Sequence, residues 1–129
     1  MTPRILLVED DLRAAAATQR ELARAGFTEV QTVAAHDPWE AAESAIGLYN
    51  MWGHDVVVTD GLNAYCARLV DYAMRADFGD RIIIYTGTPD RYEGRFPGVQ
   101  VVSKPDGAAL VAAVRAVLNK KGTKEVQDG

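Results

Sequence analysis

Residues 4–11 read RILLVEDD, an apolar run that ends abruptly in three acids. Two comparable runs follow along the chain, VVVTD at 56–60 and IIIYT at 82–86. Short, continuous runs of branched apolar residues are typical of strands that are buried on both faces of a parallel sheet. We therefore predict that these three segments form the centre of such a sheet.

Segments with apolar residues at helical spacing separate the apolar runs, and this alternation is typical of β/α repeats. Asp11 and Asp37 precede two of these segments as helix N-caps, and Gly26 follows the first at a left-handed C-terminal position. Right-handed crossovers between five strands predict a doubly wound α/β domain. The predicted strands are Arg4–Glu9, Glu29–Ala34, Asp55–Asp60, Arg81–Thr86 and Gly98–Ser103; the predicted helices are Leu12–Ala25, Asp37–Met51, Ala64–Phe78 and Gly107–Asn119.

The composition is that of an ordinary globular chain, with 129 residues of which 48% are hydrophobic and 25% charged. This length fits one domain, which we assign to residues 1–119, followed by a polar tail at 120–129. The net charge of −4 offers no basic surface for nucleic acid or anionic lipid, so neither is an expected partner.

Cysteine and histidine usage limits the chemistry further. The single Cys66 cannot form an internal disulfide, and His36 and His54 are too few for a thiolate or imidazole metal cluster. Residues 1–10 lack the layout of a signal peptide, and no stretch approaches membrane-spanning length. We expect a cytoplasmic protein.

Polar and charged residues stand where the predicted strands end. The first strand ends at Glu9, followed by Asp10; the third ends at Asp60, and the last two end beside Thr86 and Lys104. Because the carboxyl ends of parallel strands meet at one edge of the sheet, these side chains should lie together. Three carboxylates at an open, all-oxygen site suit Mg²⁺ better than zinc. An aspartate there can attack phosphorus, and a lysine can stabilise the phosphoryl oxygens.

Each of these residues also has an ordinary structural interpretation. Acids after a strand often cap the next helix, which is the role predicted for Asp11. Asp60 alone fits a loop aspartate bonded to neighbouring amides, and Thr86 fits a strand end by its β propensity. The combination at one edge favours a phosphoryl-transfer site more than any single residue does.

Four motifs, in this order, resemble the receiver domain of two-component response regulators: ILLVEDD at 5–11, VVVTD at 56–60, IIYTG at 83–87 and VSKP at 102–105. The resemblance covers almost the whole chain. It implies a flavodoxin-like, CheY-like (βα)5 fold with strand order 2-1-3-4-5. It also implies that the protein is not an enzyme but a phosphoacceptor switch that supports its own phosphorylation and dephosphorylation.

Carried over residue by residue, the resemblance gives each site residue a role. Asp60 is similar to the phosphoacceptor, Lys104 to the phosphate-binding lysine and Thr86 to the switch hydroxyl. The implied Mg²⁺ ligands are Glu9, Asp10, Asp60 and the backbone carbonyl of Leu62. The implied partners are a histidine kinase or histidine phosphotransfer protein and a downstream protein target, with the chain a monomer or weak homodimer.

The sequence departs from the family pattern at several positions. Ala64 and Arg68 replace a usual proline and glycine, so the loop after Asp60 is expected to differ. Val101 replaces the aromatic residue that commonly moves with the switch threonine. Prolines and glycine within 88–97 leave room for only one or two helical turns, which predicts a shortened fourth helix.

Two further expectations concern individual side chains. Leu62 and Thr88, each two positions past a predicted site residue, are expected to border the path of hydrolytic water. Trp39 and Trp52 are expected to pack the second helix against the sheet, with partner docking as the alternative for Trp52.

Three other functions remain as alternatives. A pseudo-receiver would bind proteins without phosphorylation, as Val101 and the short fourth helix suggest. A flavodoxin-like cofactor carrier is disfavoured because acids at 9–11 would repel a phosphate. A magnesium-dependent phosphatase is disfavoured because Gly61 and Leu62 follow Asp60 instead of a second acid. The sequence leaves open the cognate kinase, whether the protein relays phosphate or binds a target, and whether the chain is part of a longer regulator.

Overall fold

The structure is a computed structural model that describes residues 2–33 and 37–128, with the backbone alone described over 121–128. Five strands alternate with four helices, and three short 3-10 turns lie at Leu62–Ala64, Gly79–Arg81 and Pro89–Arg91. The strands are β1 (Arg4–Val8), β2 (Glu29–Val33), β3 (Val56–Thr59), β4 (Ile82–Thr86) and β5 (Gln100–Ser103); the helices are α1 (Leu12–Arg24), α2 (Pro38–Trp52), α3 (Cys66–Arg75) and α4 (Gly107–Asp128).

The strands form one parallel sheet in the order β2-β1-β3-β4-β5. The apolar runs at β1, β3 and β4 occupy its centre and are buried almost throughout, because helices cover both faces. The predicted doubly wound five-stranded α/β fold and its strand order are therefore confirmed.

Two cores lie on opposite faces of the sheet. Successive side chains of a strand point to opposite faces, so Leu6 and Val8 pack with α2 and α3, whereas Ile5 and Leu7 pack with α1 and α4. Each central strand thus contributes to both cores. This double burial fixes the register of the strands and, with it, the height at which each strand ends.

The helix boundaries follow local chemistry. The Asp11 carboxylate accepts hydrogen bonds from the backbone amides of Arg13 and Ala14 and begins α1, as predicted. Gly26 follows α1 with φ of 95°, a conformation that glycine adopts without strain. Asp37 caps α2 in the same way, with Pro38 in the first turn.

The fifth predicted strand begins two residues later than expected, at Gln100, and the largest differences from the predicted boundaries lie at α3 and α4. α3 begins at Cys66 and ends at Arg75, because Leu62–Ala64 and Asp77 adopt positive φ. α4 continues past Asn119 to Asp128, through a stretch in which Lys, Glu and Gln are good helix formers. Between β4 and β5, where the family has its fourth helix, the chain forms only the single turn Pro89–Arg91. The prolines and glycine of this segment predict that shortening. Ala34, the predicted end of the second strand, lies outside the described residues.

The prediction that both tryptophans pack α2 against the sheet is wrong. Trp39 is 44% exposed and Trp52 is 50% exposed. Trp39 makes an edge contact with Tyr65, and the Arg4 guanidinium lies over the Trp52 ring. Small residues of α2, including Ala41, Ala42 and Ala45, face the sheet instead, because a helix that lies close to a sheet has little room for an indole. None of the helices in the described part of the chain is long and apolar enough to cross a membrane.

Candidate functional site

The carboxyl ends of the central strands place the predicted site residues at one edge of the sheet. Val8 of β1 pairs with Thr59 of β3, and the Asp60 amide donates to the Val8 carbonyl at 2.8 Å. Glu9 and Asp60 therefore follow paired residues of neighbouring strands and lie side by side at the carboxyl edge of the sheet. Between β4 and β5, the Lys104 amide donates to the Thr86 carbonyl at 2.8 Å. This bond brings Lys104 to the same edge of the sheet.

The three predicted metal-binding carboxylates converge. One oxygen each from Glu9, Asp10 and Asp60 can be chosen so that all lie within 4.8 Å of one another. Glu9 is almost fully buried, while Asp10 and Asp60 are partly exposed. The site is therefore open to solvent on the side of Asp10 and Asp60, which a phosphoryl donor would need.

Lys104 joins two of these carboxylates. Its Nζ atom lies 2.9 Å from Asp60 Oδ1 and also forms a hydrogen bond with Glu9 Oε2. The lysine is itself mostly buried, so solvent screens these ion pairs less than it would at an exposed surface. Lys104 is thus paired with both Asp60 and Glu9 at this edge of the sheet.

The charges at the site perturb one another. Burial, together with the charge of Asp60, raises the pKa of Glu9 above its ordinary value, against the lowering effect of Lys104. Burial alone would lower the pKa of Lys104, but hydrogen bonds and charge attraction from Glu9 and Asp60 outweigh it and raise that pKa. Lys104 is consequently a firmly charged ammonium at neutral pH.

The donor set fits a hard divalent cation. Three carboxylates against one ammonium leave an excess of negative charge. Burial first, and then the charge of Asp60, raise the pKa of Glu9 and so disfavour its ionised form when no further cation is bound. All candidate ligands are oxygens, which Mg²⁺ prefers, and the partly open site leaves room for the waters that Mg²⁺ retains. The acidic cluster is therefore suited to Mg²⁺, with Glu9, Asp10 and Asp60 as the residues that would hold it.

Leu62 follows Asp60 in a tight turn. Its backbone amide donates to Asp60 Oδ2 at 2.9 Å, which orients the carboxylate. Its carbonyl accepts from the Tyr65 amide at 2.9 Å and keeps a second lone pair for a metal, so ligation by this carbonyl stays a prediction. The side chain is fully buried in the core. The expectation that Leu62 borders the path of water is therefore wrong, because the turn directs this side chain inward.

Thr86 lies at the end of β4 and is nearly buried. Its Oγ1 accepts a hydrogen bond from the Thr88 amide at 3.1 Å and lies 3.3 Å from the Thr88 hydroxyl. In this arrangement the Thr86 hydroxyl is held by the segment that follows it. A role as a switch hydroxyl would require it to exchange this local bond for one to a phosphoryl oxygen.

Comparison with solved structures identifies the fold. HP1043, an orphan response regulator of Helicobacter pylori, matches with a TM-score of 0.67 and 20% identity over 91% of this chain and 97% of that one. A two-component transcriptional regulator AraC from Clostridium phytofermentans gives 0.66 and 20% over 94% and 98%. The response regulator domain of Thermotoga maritima CheB gives 0.65 and 19% over 92% and 98%. This is the fold of a response-regulator receiver domain. Neither a protein-family model nor a curated protein matches the sequence.

The loop after Asp60 contains three consecutive residues with positive φ. Leu62, Asn63 and Ala64 have φ values of 52°, 51° and 76°. A proline, which the family usually carries at the position of Ala64, is restricted to φ near −65° and could not adopt this conformation. Ala64 is thus compatible with this turn where a proline would not be, and a difference from the family's loop stays a prediction.

One residue of this receiver fold escaped the sequence analysis. Tyr92, in the segment that replaces the fourth helix, places its hydroxyl against the backbone of the loop after Asp60. The available signal was one of two aromatic residues, Tyr92 and Phe96, among prolines, a glycine and charges at 88–97. Such a residue is a candidate for burial, but nothing local indicates which part of the protein it contacts.

Proposed function

We propose that this protein is a two-component receiver that accepts a phosphoryl group on Asp60 from a phosphohistidine donor in a Mg²⁺-dependent reaction. The observation that carries the proposal is the joint contact of Lys104 with Glu9 and Asp60. This contact places an ammonium between the candidate acceptor and the candidate metal site. The receiver fold and the convergence of three carboxylates at the same edge support it.

The chemistry is a phosphoryl transfer in which protein groups mainly position and neutralise. An Asp60 carboxylate oxygen forms a bond to phosphorus while the bond from phosphorus to the histidine nitrogen breaks, and the electron pair leaves with that nitrogen. The Leu62 amide orients Asp60, and Lys104 is placed to bind a phosphoryl oxygen as the charge shifts. Mg²⁺, when bound, would neutralise the remaining charge on the phosphoryl oxygens. Water then cleaves the acyl phosphate, releasing inorganic phosphate and restoring the carboxylate.

The protein itself is not proposed as an enzyme acting on a separate substrate. The receiver would act by protein contact, either as a phosphate relay or as a phosphorylation-dependent binder of a downstream target. The donor would be a histidine kinase or a histidine phosphotransfer protein in the cytoplasm. Nucleic acid and membrane are not proposed as partners, because the net charge is −4, and the chain would act as a monomer or weak homodimer.

A pseudo-receiver that binds partners without phosphorylation is the second candidate. Two observations favour it: Val101 lacks the aromatic ring that usually accompanies the switch threonine, and Thr86 is engaged by Thr88. Against it stand the five site residues, all present and brought to one edge of the sheet. The two candidates differ in whether the site can bind a phosphoryl group.

Binding of beryllofluoride, a phosphoryl analogue that attaches to a carboxylate, separates the two candidates. The ¹⁵N spectrum of the wild type, recorded with Mg²⁺ and beryllofluoride, should show shifted amides at Leu62, Thr86 and Thr88. Asp60→Asn, which keeps the size of the side chain but removes its charge, is the matched control and should show no such shifts. A wild-type spectrum unchanged by beryllofluoride at saturating Mg²⁺ would favour the pseudo-receiver.

A further inference from the structure

Tyr92 joins the segment after β4 to the loop after Asp60. It directly follows the turn Pro89–Arg91, and its side chain is only 4% exposed, packed in the core beneath α2 and α3. Its hydroxyl accepts a hydrogen bond from the Ala64 amide at 3.2 Å and donates one to the Gly61 carbonyl at 3.4 Å. One side chain therefore holds both ends of the turn that follows the candidate acceptor.

This turn needs an external support. Leu62, Asn63 and Ala64 all lie in the left-handed region, which costs an L-residue other than glycine roughly 1–2 kcal/mol. Strain of this kind persists only where surrounding contacts over-determine the conformation. The turn has its own local bonds, from the Tyr65 amide to Leu62 and from the Cys66 amide to Gly61. The Tyr92 hydroxyl adds a contact from a different part of the chain.

Gly61 is fitted to this hydroxyl. A Cβ atom at position 61 would lie 2.5 Å from Tyr92 Oη and 2.8 Å from its ring carbon Cζ, a separation that no real side chain tolerates. Burial raises the pKa of Tyr92, so the phenol keeps the proton with which it donates to Gly61. Glycine and tyrosine thus form a close backbone-to-hydroxyl contact directly beside Asp60.

The other end of this connection lies near Thr86. Tyr92 is tied to the segment after β4 through its amide, which donates to the Pro89 carbonyl at 2.9 Å. That segment begins with the bond from the Thr88 amide to Thr86 Oγ1. Val101 packs against the same core but has no polar group with which to reach the loop. A rearrangement of Thr86 therefore has a short route to the loop through residues 88–92.

We infer that Tyr92 is a positioning residue of the phosphoacceptor site, which holds loop 61–64 in its metal-binding form and links that loop to the Thr86 segment. The inference rests on the proposed function, because the Leu62 carbonyl matters only if Mg²⁺ binds there. Tyr92 itself touches no reacting atom. Its effect passes through the Gly61 and Ala64 backbone to Leu62, whose amide contacts Asp60.

The test compares Tyr92→Phe with Tyr49→Phe, by ¹⁵N NMR titration with Mg²⁺ and by amide hydrogen exchange without metal. Both variants lose one phenol oxygen from rings that pack on the same core, but the Tyr49 hydroxyl bonds Arg81, away from the loop. Tyr92→Phe should weaken Mg²⁺ binding by roughly tenfold, as the loss of a supporting group around a metal site does. It should also accelerate exchange of the Ala64 amide, whereas Tyr49→Phe should do neither.

A kinetic measurement separates positioning from general loosening of the fold. With acetyl phosphate as donor, Tyr92→Phe should need more Mg²⁺ for its half-maximal rate but regain a rate within about twofold of the wild type at saturation. Equal Mg²⁺ affinity and equal Ala64 exchange in the two variants would overturn the inference. If the wild type itself showed no Mg²⁺-dependent shift at Glu9 or Asp10, the proposed function would fail. The support of the loop by Tyr92 would then be decided by Ala64 exchange alone.

Discussion

The Lys104 ammonium lies 2.9 Å from the Asp60 carboxylate and bonds the buried Glu9 as well. This lysine therefore neutralises carboxylates that would otherwise repel one another. In the proposed phosphoryl transfer, the same ammonium would bind a phosphoryl oxygen. Lys104 would thus compete with Mg²⁺ for the carboxylates before the reaction and assist the metal during it.

This dual position predicts opposite effects of removing the lysine. In Lys104→Ala, Mg²⁺ affinity should rise by at least roughly fivefold, because a like unit charge a few ångströms away costs about 1 kcal/mol in bulk water and more in a partly buried site. The rate of phosphorylation by acetyl phosphate should fall roughly 100-fold, as it does when one preorganised donor to developing charge is lost. Titration calorimetry and intact-mass kinetics measure the two effects. Lys120→Ala, which removes an exposed lysine from α4, is the control, and a parallel loss of both properties in Lys104→Ala would contradict this account.

Thr86 should transmit the phosphorylated state and contribute only modestly to binding. Thr86→Ala is expected to weaken beryllofluoride binding about fivefold, the value of one lost hydrogen bond, and to abolish the accompanying shift of the Thr88 amide. Thr86→Ser keeps the hydroxyl and should retain both properties. A Thr88 shift that survives in Thr86→Ala would show that the signal leaves the site by another route.

His54 should make stability depend on pH at the opposite end of the sheet. Its Nε2 atom lies 2.8 Å from Gln31 Oε1, and among the described residues its buried Nδ1 has no hydrogen-bond partner. Burial and the Arg4 charge lower the pKa of His54 below its ordinary 6.5, against the charge of Asp55. The unfolded chain therefore binds a proton at a higher pH than the folded protein does.

The free energy of unfolding should consequently fall as the pH drops below about 6.5, with a slope of at most about 1.4 kcal/mol per pH unit from this group. Above that pH, His54 is neutral in both states and adds no slope. His54→Gln should flatten the dependence in urea unfolding measured between pH 7.5 and 5 (roughly the range that brackets the histidine titration). His36→Gln is the matched control and should retain the slope due to His54. Identical slopes in wild type and His54→Gln would refute the prediction.

Two glycine-to-alanine substitutions should change stability in opposite directions. Gly61→Ala forces a methyl group against Tyr92 and should destabilise the protein by about 1–3 kcal/mol. Gly47 lies inside α2 with open space around it, so Gly47→Ala should stabilise by roughly 0.5–1 kcal/mol through helix propensity. Urea denaturation of the two variants measures both values. A neutral Gly61→Ala would mean that Tyr92 yields easily and does not support the loop.

The sequence was sufficient for the sheet and for the edge at which the site lies. Continuous apolar runs such as 56–58 can be buried only between two layers of helices, and Asp11 begins α1 by a purely local bond. The positions of Glu9, Asp60 and Lys104 follow from where their strands end. These three residues therefore converge because of where the strands end, and the ends of the apolar runs in the sequence already indicate those positions.

The loop after Asp60 could not be predicted in the same way. Asn63 tolerates positive φ, but leucine and alanine carry no preference for it. The sequence therefore does not indicate three consecutive left-handed residues at 62–64 or the inward direction of Leu62. The partner of that turn, Tyr92, is far away in sequence. The exposure of Trp39 and Trp52 was not predicted either. Indole rings generally favour burial, but here alanines of α2 occupy the interface between this helix and the sheet.

The most direct test of the central claim is the intact mass of the protein after incubation with acetyl phosphate and Mg²⁺. We expect the wild type to gain the mass of one phosphoryl group, a chelator to prevent the gain, and Asp60→Asn to show none. A wild type that gains no mass at saturating Mg²⁺, or an Asp60→Asn variant modified to the same extent, would contradict the assignment of Asp60 as the phosphoacceptor.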